Sequence, residues 1–289
     1  MAYNIRQITS HFASELKSVY PQEERTEITR ILLEETTGMS RAEILSCPLQ
    51  PLSSSECEML FSAIERLKNH EPVQYILGKA WFYGLELNVS RETLIPRPET
   101  EELVQQAIRL FKSNPGIPRS FLDAGTGSGA IAVALASEVN DLKGYAFDLH
   151  PGTLEIAKKN IQQHQVKVTP FIDDIHQFSG TDIIDEKVGM LISNPPYVRP
   201  SEKPLMRNNV TKYEPKEALY VPEEDPLVFY KSLMEIAEQK LVSGGFALFE
   251  INEALGQEMI KLYTNSQFTD LNIITDMKGK VRIFQCRKT

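Results

Sequence analysis

Hydrophobic positions in the first part of the chain recur at the three- and four-residue spacing of amphipathic helices. Ile28, Ile31 and Leu32 form one such group, and charged residues lie between the apolar positions. Proline and glycine interrupt the pattern at short intervals. The pattern predicts a small helical bundle over residues 1–75.

A different pattern follows, in which apolar and polar residues alternate. Leu85, Leu87 and Val89 alternate in this way after an aromatic run that begins at Trp81. Alternation with period two is typical of β-strands. Residues 76–96 are therefore predicted to form a β-hairpin that links two domains, with Trp81 packed into the hairpin.

Strand-like and helix-like segments alternate from about residue 120 to the end of the printed sequence. Strands are predicted at 120–123, 144–148, 188–192, 246–250, 271–274 and 280–287. Helices are predicted at 129–138, 152–163 and 226–242, and an earlier helix is predicted to begin near Pro98. This alternation predicts, over residues 97–289, an α/β domain with a mostly parallel sheet and ligands at the carboxyl ends of its strands.

The composition is that of an ordinary globular protein. The 289 residues are 42% hydrophobic and 24% charged, which excludes collagen-like and strongly disordered classes. No apolar stretch approaches the ~18 residues that span a bilayer, so neither a membrane segment nor an apolar signal segment is expected. The three cysteines lack paired or zinc-type spacing, which favours a reducing compartment, the cytoplasm: Cys47, Cys57 and Cys286.

The balance of charge disfavours a broad nucleic-acid-binding surface and leaves a local basic groove open. There are 31 basic residues against 39 acidic ones, which gives a net charge of −8. Because the phosphate backbone is bound through basic surfaces, extended nucleic-acid binding is not expected. The histidines are scattered, so neither a metal site nor a histidine general base is predicted: His11, His70, His150, His164 and His176.

The strongest local motif is the glycine-rich loop Gly125-Thr126-Gly127-Ser128-Gly129, between a predicted strand and a predicted helix. Glycines let the chain turn sharply and let backbone N–H groups approach a ligand, and a helix N-terminus favours an anionic group. Asp148 ends the next predicted strand, where a carboxylate accepts hydrogen bonds from both ribose hydroxyls. Because Gly125-x-Gly127-x-x-Ala130 also fits the dinucleotide fingerprint, the loop leaves nicotinamide and S-adenosylmethionine cofactors both open.

A tetrapeptide, Asn194-Pro195-Pro196-Tyr197, follows another predicted strand and is expected beside the glycine loop. Methylation of a planar nitrogen requires two acceptors that hold its N–H bonds and direct its lone pair at a methyl sulfonium. Asn194 offers a side-chain oxygen, and Pro195 offers a backbone carbonyl. The prolines stiffen the segment, and Tyr197 supplies a flat face for stacking. The tetrapeptide therefore favours an amino- or amide-methyltransferase, in which positioning carries the reaction.

With these motifs, the chain resembles the N5-glutamine methyltransferases of the PrmC/HemK family, which modify peptide chain release factors. The resemblance covers nearly the whole length. It also includes the segment Ile95-Pro96-Arg97-Pro98-Glu99-Thr100-Glu101-Glu102-Leu103-Val104 and the segment Tyr213-Glu214-Pro215-Lys216-Glu217-Ala218-Leu219.

The resemblance implies a Rossmann-like seven-stranded methyltransferase sheet, with a helical N-terminal domain that helps to bind the substrate. It implies S-adenosylmethionine as cofactor, S-adenosylhomocysteine as product, and the Gly-Gly-Gln glutamine of class 1 release factors as substrate. By position, the glycine loop and Asp148 are implied to bind the methionine and ribose parts of the cofactor. Asp174 is placed at the adenine edge, and Asn194 borders both the methyl donor and the substrate amide.

Two departures from the family pattern change what is expected. Ile175 stands where relatives often carry an aromatic residue, so aliphatic contacts with adenine are expected. The segment after Glu250 has Asn252 and Leu255 in place of the family's glycine and glutamine, which weakens inferences about that loop. An ion pair of Arg97 with Glu99 or Glu101 and an approach of Arg97 to the ligands both stay open.

Two other functions also stay open. A nucleic-acid amino-methyltransferase uses the same tetrapeptide, although a basic recognition domain would be expected with it. A nicotinamide-dependent oxidoreductase accounts for the glycine loop and leaves the tetrapeptide without a role.

Overall fold

The computed structural model describes residues 3–289, except for the side chain of Thr181. The helices are α1 (Ile5–Glu15), α2 (Gln22–Thr37), α3 (Arg41–Ser46), α4 (Ser54–Lys68), α5 (Val73–Leu77), α6 (Pro98–Ser113), α7 (Ala130–Glu138), α8 (Pro151–Gln163), α9 (Asn208–Tyr213), α10 (Val228–Lys240) and α11 (Gly256–Tyr263). The strands are β1 (Lys79–Phe82), β2 (Leu85–Asn88), β3 (Ser120–Ala124), β4 (Lys143–Asp148), β5 (Val168–Ile172), β6 (Val188–Ser193), β7 (Leu241–Glu250), β8 (Phe268–Thr275) and β9 (Val281–Lys288).

The backbone divides into two compact units. The helical unit comprises the chain up to Gly78 together with Arg207–Tyr213, and the α/β unit comprises Lys79–Met206 and Glu214–Thr289. Among the described residues, no helix is both long and apolar enough to cross a bilayer.

The helical unit has a core of its own, built from the apolar faces of α1, α2, α3 and α4. Polar caps define where these helices begin: the side chain of Ser53 accepts from the backbone N–H of Glu56, and the Glu56 carboxylate accepts from the backbone N–H of Ser53. The segment Arg207–Tyr213 packs with this unit, since the Tyr213 hydroxyl donates to the Asn69 carbonyl at 2.9 Å. The prediction of a helical N-terminal region is confirmed.

The α/β unit is built on a seven-stranded sheet in the order β5-β4-β3-β6-β7-β9-β8. The first five strands are parallel, and β9 runs antiparallel to both β7 and β8. Successive strand residues face opposite sides, so Phe121 packs in the core under α6, α7 and α8, whereas Leu122 packs in the core under α10 and α11. The predicted Rossmann-like sheet is confirmed.

The register of the sheet places the ends of several strands at one edge. Ala124 pairs with Phe147, and Ser193 pairs with Phe249. The chain therefore leaves β3, β4, β6 and β7 on the same side, and the loops that follow these strands form the functional edge of the unit.

The hairpin of β1 and β2 belongs to the α/β unit, and one expectation about it is wrong. Trp81 was expected to pack into the hairpin, but it is 65% exposed. The reason is the two-residue period of the strand: Ala80 and Phe82 occupy the inward positions and are buried, so the residue between them faces outward.

Candidate active site

A cavity of about 470 Å³ opens at the carboxyl ends of β3, β4 and β6. Of the residues that the sequence predicted for the site, nine line its wall: Gly125, Thr126, Gly127, Ser128, Asp148, Asp174, Ile175, Asn194 and Pro196. The other three are not among the lining residues: Gly129, Pro195 and Tyr197. The structure thus brings the glycine loop and the tetrapeptide to one cavity.

The glycine loop has a conformation that depends on its glycines. Gly125, Gly127 and Gly129 all have positive φ, at +70°, +59° and +81°, a region that side chains disfavour. A Cβ atom on Gly129 would also lie 3.3 Å from the Cα and Cβ of Ala157 in α8. The loop backbone therefore lies tightly against α8 at Gly129, and residues 125–128 of the loop line the cavity.

Asp148 is the carboxylate at the end of β4. Its Oδ2 accepts from the Gly127 N–H at 2.9 Å, and its Oδ1 accepts from the His150 N–H at 3.3 Å. Burial raises the pKa of Asp148, while these two backbone donors act in the opposite direction. Each oxygen keeps a further lone pair that can accept from a ligand hydroxyl.

Three residues after β5 form another part of the wall. Asp173 is buried, and its carboxylate accepts from the backbone N–H groups of Asp174 and Ser179. Asp174 accepts from the His176 N–H at 2.8 Å. Ile175 turns its side chain toward Gly125, where it would come within 3.4 Å of an added Cβ.

Asn194 is held from behind by residues of two other elements. Its Nδ2 donates to Oγ1 of Thr100 at 3.1 Å, and the Thr100 hydroxyl donates to Oε2 of Glu250 at 2.6 Å. The Tyr197 hydroxyl donates to the other oxygen, Glu250 Oε1, at 2.9 Å. Burial raises the pKa values of both Glu250 and Tyr197.

Arg97 does not pair with Glu99 or Glu101, so this one of the two alternatives that the sequence left open is wrong. Its Nη2 lies 2.6 and 2.7 Å from the two carboxylate oxygens of Glu214, whose side chain is fully buried. Glu99 instead pairs with Lys278, and Glu101 accepts from the backbone N–H of Tyr83. Arg97 also lines the cavity, so it joins the wall to the segment that begins at Glu214.

Sequence reasoning missed several residues that line the cavity or, like Glu250, are linked to it by hydrogen bonds. Thr100 stood inside a quoted motif with no role assigned to it, and Glu250 was considered only as the start of a divergent loop. His176 and Phe229 form an aromatic pair in the wall, with ring centroids 4.5 Å apart. The aromatic side chains of the wall are thus supplied by His176, one residue after Ile175, and by Phe229 of α10. Among residues 3–289, no group of three or more His, Cys, Asp or Glu side chains is arranged as a metal site.

Two family models match the chain. Residues 7–78 match the PrmC N-terminal domain, and residues 105–212 match the methyltransferase small domain. The fold also resembles the catalytic domain of hMettl16, which was solved in complex with a MAT2A 3′UTR hairpin. That likeness has a TM-score of 0.51 and 16% identity over 81% of each chain, so it bears on the fold alone.

Curated relatives match over almost the whole length. The release factor glutamine methyltransferase of Bacteroides thetaiotaomicron is 38% identical over 98% of this chain and 100% of its own. The protein of the same name from Flavobacterium psychrophilum is 34% identical over 97% and 98%, respectively. The Escherichia coli one is 34% identical over 88% of each chain.

Proposed function

This chain belongs to the family of release factor glutamine methyltransferases, and on that premise we propose how its cavity supports the reaction. It is an S-adenosylmethionine-dependent enzyme that methylates the side-chain amide nitrogen of glutamine in release factors. The roles of individual residues, the substrate loop and the use of the helical unit follow as our assignments.

We assign the cofactor to the part of the cavity formed by the glycine loop and the ends of β4 and β5. A volume of about 470 Å³ is within the range of about 300–1,000 Å³ for small-molecule sites. Gly125 lines the cavity without a side chain to obstruct a ligand, and the two oxygens of Asp148 retain lone pairs for ribose hydroxyls. We assign Asp174 and Ile175, which line the cavity, to contact with adenine. When bound, S-adenosylmethionine supplies an electrophilic methyl group on a positively charged sulfur.

We assign the glutamine amide to the tetrapeptide. The Asn194 side-chain oxygen accepts one N–H of the amide, and the Pro195 carbonyl accepts the other. Two acceptors on one NH₂ group draw the nitrogen away from planarity and orient its lone pair. The stacking of Tyr197 on the planar amide stays a prediction from the sequence, since Tyr197 does not line the cavity; its hydroxyl is fixed on Glu250. The observation that carries this assignment is that Asn194 and the glycine loop line one cavity, while the amide nitrogen of Asn194 is already bonded elsewhere.

We propose that the modified glutamine is that of the Gly-Gly-Gln motif in class 1 release factors and that the helical unit recognises the rest of the factor. The helical unit has a separate core and its own family match. None of its residues, among those described, lines the cavity. It is therefore available for a role in substrate binding. Because release factors act in translation, the compartment proposed is the cytoplasm.

The test is mass spectrometry of a purified class 1 release factor after incubation with this protein and S-adenosylmethionine. One added methyl group on the Gly-Gly-Gln glutamine is expected, and a factor with alanine in place of that glutamine serves as the control substrate. Methylation of DNA or RNA without methylation of the release factor would contradict the proposed function.

A second measurement tests the role of Asn194. The substitution Asn194→Ala removes the side-chain acceptor, and turnover is expected to fall about 100-fold or more, as for the loss of a preorganised polar group. Affinity for S-adenosylhomocysteine, measured by calorimetry, is expected to weaken only modestly. Full turnover of the variant would contradict the amide-holding role.

A further inference from the structure

The Asn194 carboxamide is connected to a buried carboxylate through a single hydroxyl group. Asn194 follows β6, Glu250 ends β7, and Thr100 lies in the first turn of α6. Because Ser193 pairs with Phe249, the next residues of the two strands emerge side by side. The hydroxyl of Thr100, which is buried, bridges them at 3.1 Å from Asn194 Nδ2 and 2.6 Å from Glu250 Oε2.

The direction of the hydrogen bonds follows from the number of protons. A hydroxyl has one proton, and an ionised carboxylate only accepts. The Thr100 proton therefore lies on the bond to Glu250, and the Thr100 oxygen is left to accept from Asn194. With the amide turned over, the oxygens of Asn194 and Thr100 would face each other with no proton between them. The carboxylate thus selects the orientation in which Asn194 points its nitrogen at Thr100 and keeps its own oxygen free.

Glu250 is itself fixed on both sides. Its second oxygen accepts from the Tyr197 hydroxyl, and its backbone carbonyl accepts from the Tyr230 hydroxyl at 3.0 Å. Burial raises the pKa of Glu250, whereas Thr100, Tyr197 and Arg282 favour its charged form. A carboxylate held by buried donors has one available geometry, and so does the hydroxyl that it binds.

We propose that Thr100 and Glu250 are positioning residues that fix the Asn194 side-chain oxygen toward the substrate amide. This rests on the proposed function, in which Asn194 accepts an N–H of glutamine. It gives a role to Thr100 in the Pro-Arg-Pro-Glu-Thr segment and to the glutamate that ends β7. Both act through Asn194, so their loss affects the orientation of the acceptor rather than its presence.

The first experiment compares Thr100→Val with Thr100→Ser on the release factor substrate. Valine keeps the shape and removes the hydroxyl, whereas serine keeps the hydroxyl. We expect kcat to fall about 10- to 100-fold for valine, less than for direct loss of an acceptor, and to stay within about threefold of wild type for serine. Affinity for S-adenosylhomocysteine is expected to stay within about threefold in both.

Thr264→Val is the control, because Thr264 lies in the same α/β unit, does not line the cavity, and its hydroxyl makes one bond, to the Ile260 carbonyl of α11. Its kcat is expected to equal that of wild type. A Thr100→Val enzyme with wild-type kcat, or a Thr100→Ser enzyme as impaired as the valine variant, would overturn the proposal. As a single variant, Glu250→Gln is expected to lower kcat. Combined with Thr100→Val, it is expected to lower kcat little further. Full additivity would show that Glu250 does not act through Thr100.

A spectroscopic readout separates this proposal from the proposed function, because it needs no turnover. The side-chain amide signal of Asn194 in a nitrogen-15 NMR spectrum is the one that Asn194→Ala removes. Thr100→Val is expected to shift that signal and to speed its hydrogen exchange, whereas Thr100→Ser preserves both. An Asn194 signal that is the same in wild type and Thr100→Val would overturn the positioning role, whatever the substrate is. Failure of the wild-type protein to methylate release factors, with the NMR changes present, would overturn the proposed function alone.

Discussion

At the scale of single residues, Asp148 is organised by the backbone around it. Both of its oxygens accept from main-chain N–H groups, at Gly127 and His150, so the carboxylate is oriented before a ligand arrives. Preorganisation of this kind lowers the cost of forming the two further bonds to a ribose.

Replacement of Asp148 by alanine is therefore expected to weaken cofactor binding. The variant Asp148→Ala should raise the Kd for S-adenosylhomocysteine about 10-fold or more, as expected for the loss of hydrogen bonds to a charged acceptor. Calorimetric titration measures this directly. Glu155→Ala, which removes an exposed carboxylate of α8, is the control and should leave the Kd unchanged. An unaltered Kd for Asp148→Ala would remove this residue from the site.

Asp123, next to the glycine loop, is a carboxylate of a different kind. It is fully buried, its Oδ2 accepts from the Thr126 hydroxyl at 2.6 Å, and its Oδ1 has no hydrogen-bond partner within residues 3–289. Burial raises its pKa to about 7, and the nearby charge of Asp148 adds to that rise. In the unfolded chain an aspartate titrates near 4.

The raised pKa of Asp123 predicts how stability depends on pH. Between about pH 4 and pH 7 the folded chain binds a proton that the unfolded chain has released, so this residue makes the free energy of unfolding fall as pH rises. Asp123→Asn keeps an acceptor for Thr126 and carries no charge. The free energy of unfolding of Asp123→Asn minus that of wild type should rise by up to about 1.4 kcal/mol per pH unit from pH 5 to pH 7. Denaturant unfolding at several pH values tests this, and a difference that is constant with pH would contradict it.

The residues predicted from the sequence were those whose role is encoded locally. The glycine loop and Asn194 each directly follow a strand, and Asp148 ends one, so motif and position could be judged together, and the structure places them in one cavity. The bond between Thr100 and Glu250 joins residues 150 positions apart, and no local pattern indicates it. The partner of Arg97 was wrongly placed for the same reason, because Glu214 is distant in sequence.

At the scale of elements, α8 connects the hairpin to the glycine loop through one buried side chain. Asn160 Nδ2 donates to the carbonyls of Asn88 at 2.9 Å and Ser128 at 2.8 Å. Its Oδ1 accepts from the backbone N–H and the side-chain amide of Asn88, at 2.7 and 2.9 Å. The hairpin is thereby bonded to the same residue that holds the loop after β3.

Loss of Asn160 should therefore affect both stability and ligand binding. Asn160→Ala leaves the buried Ser128 carbonyl and the half-buried backbone groups of Asn88 without this partner, and unpaired buried groups cost about 1–3 kcal/mol each. The variant is expected to lose about 2–4 kcal/mol of unfolding free energy and to bind S-adenosylhomocysteine more weakly. Gln163→Ala, which removes two exposed bonds between α8 and the hairpin, to Glu86 and Asn88, is the control and should cost less than about 1 kcal/mol. Equal losses for the two variants would refute the special role of Asn160.

Strong periodic elements were predicted within a few residues of their observed bounds, and β5 was not predicted at all. Its sequence, Val168-Thr169-Pro170-Phe171-Ile172, contains a proline, which argues against a central strand. The structure shows why the proline is tolerated: β5 is the edge strand of the sheet, with β4 as its partner. Position in the sheet depends on the whole fold, so the short segment alone could not disclose it.

At the scale of the whole molecule, the alternation of strand-like and helix-like segments in the sequence predicts the α/β sheet, but it does not predict that residues 207–213 belong to the helical unit. Residues 207–213 lie between β6 and α10 in sequence, yet they pack with the helical unit, where Arg207 pairs with Glu24 at 3.0 Å. Such an excursion of the chain depends on tertiary contacts, and nothing in its short sequence specifies the partner.

The separate cores predict that damage to the helical unit affects the protein substrate and spares the cofactor. Leu60 is fully buried in the helical core, so Leu60→Ala should cost about 2–5 kcal/mol of local stability. If that unit recognises release factors, the KM for the factor should rise, while the Kd for S-adenosylhomocysteine stays within about twofold because the cavity wall lies in the α/β unit. Leu49→Ala, at an exposed position of the same unit, is the control variant, because loss of an exposed side chain should change the stability little. Steady-state kinetics measures the KM for the factor, and calorimetry measures the Kd for S-adenosylhomocysteine. A rise of both together would contradict independent roles of the two units. An unchanged KM in a demonstrably destabilised variant would exclude the helical unit from substrate recognition.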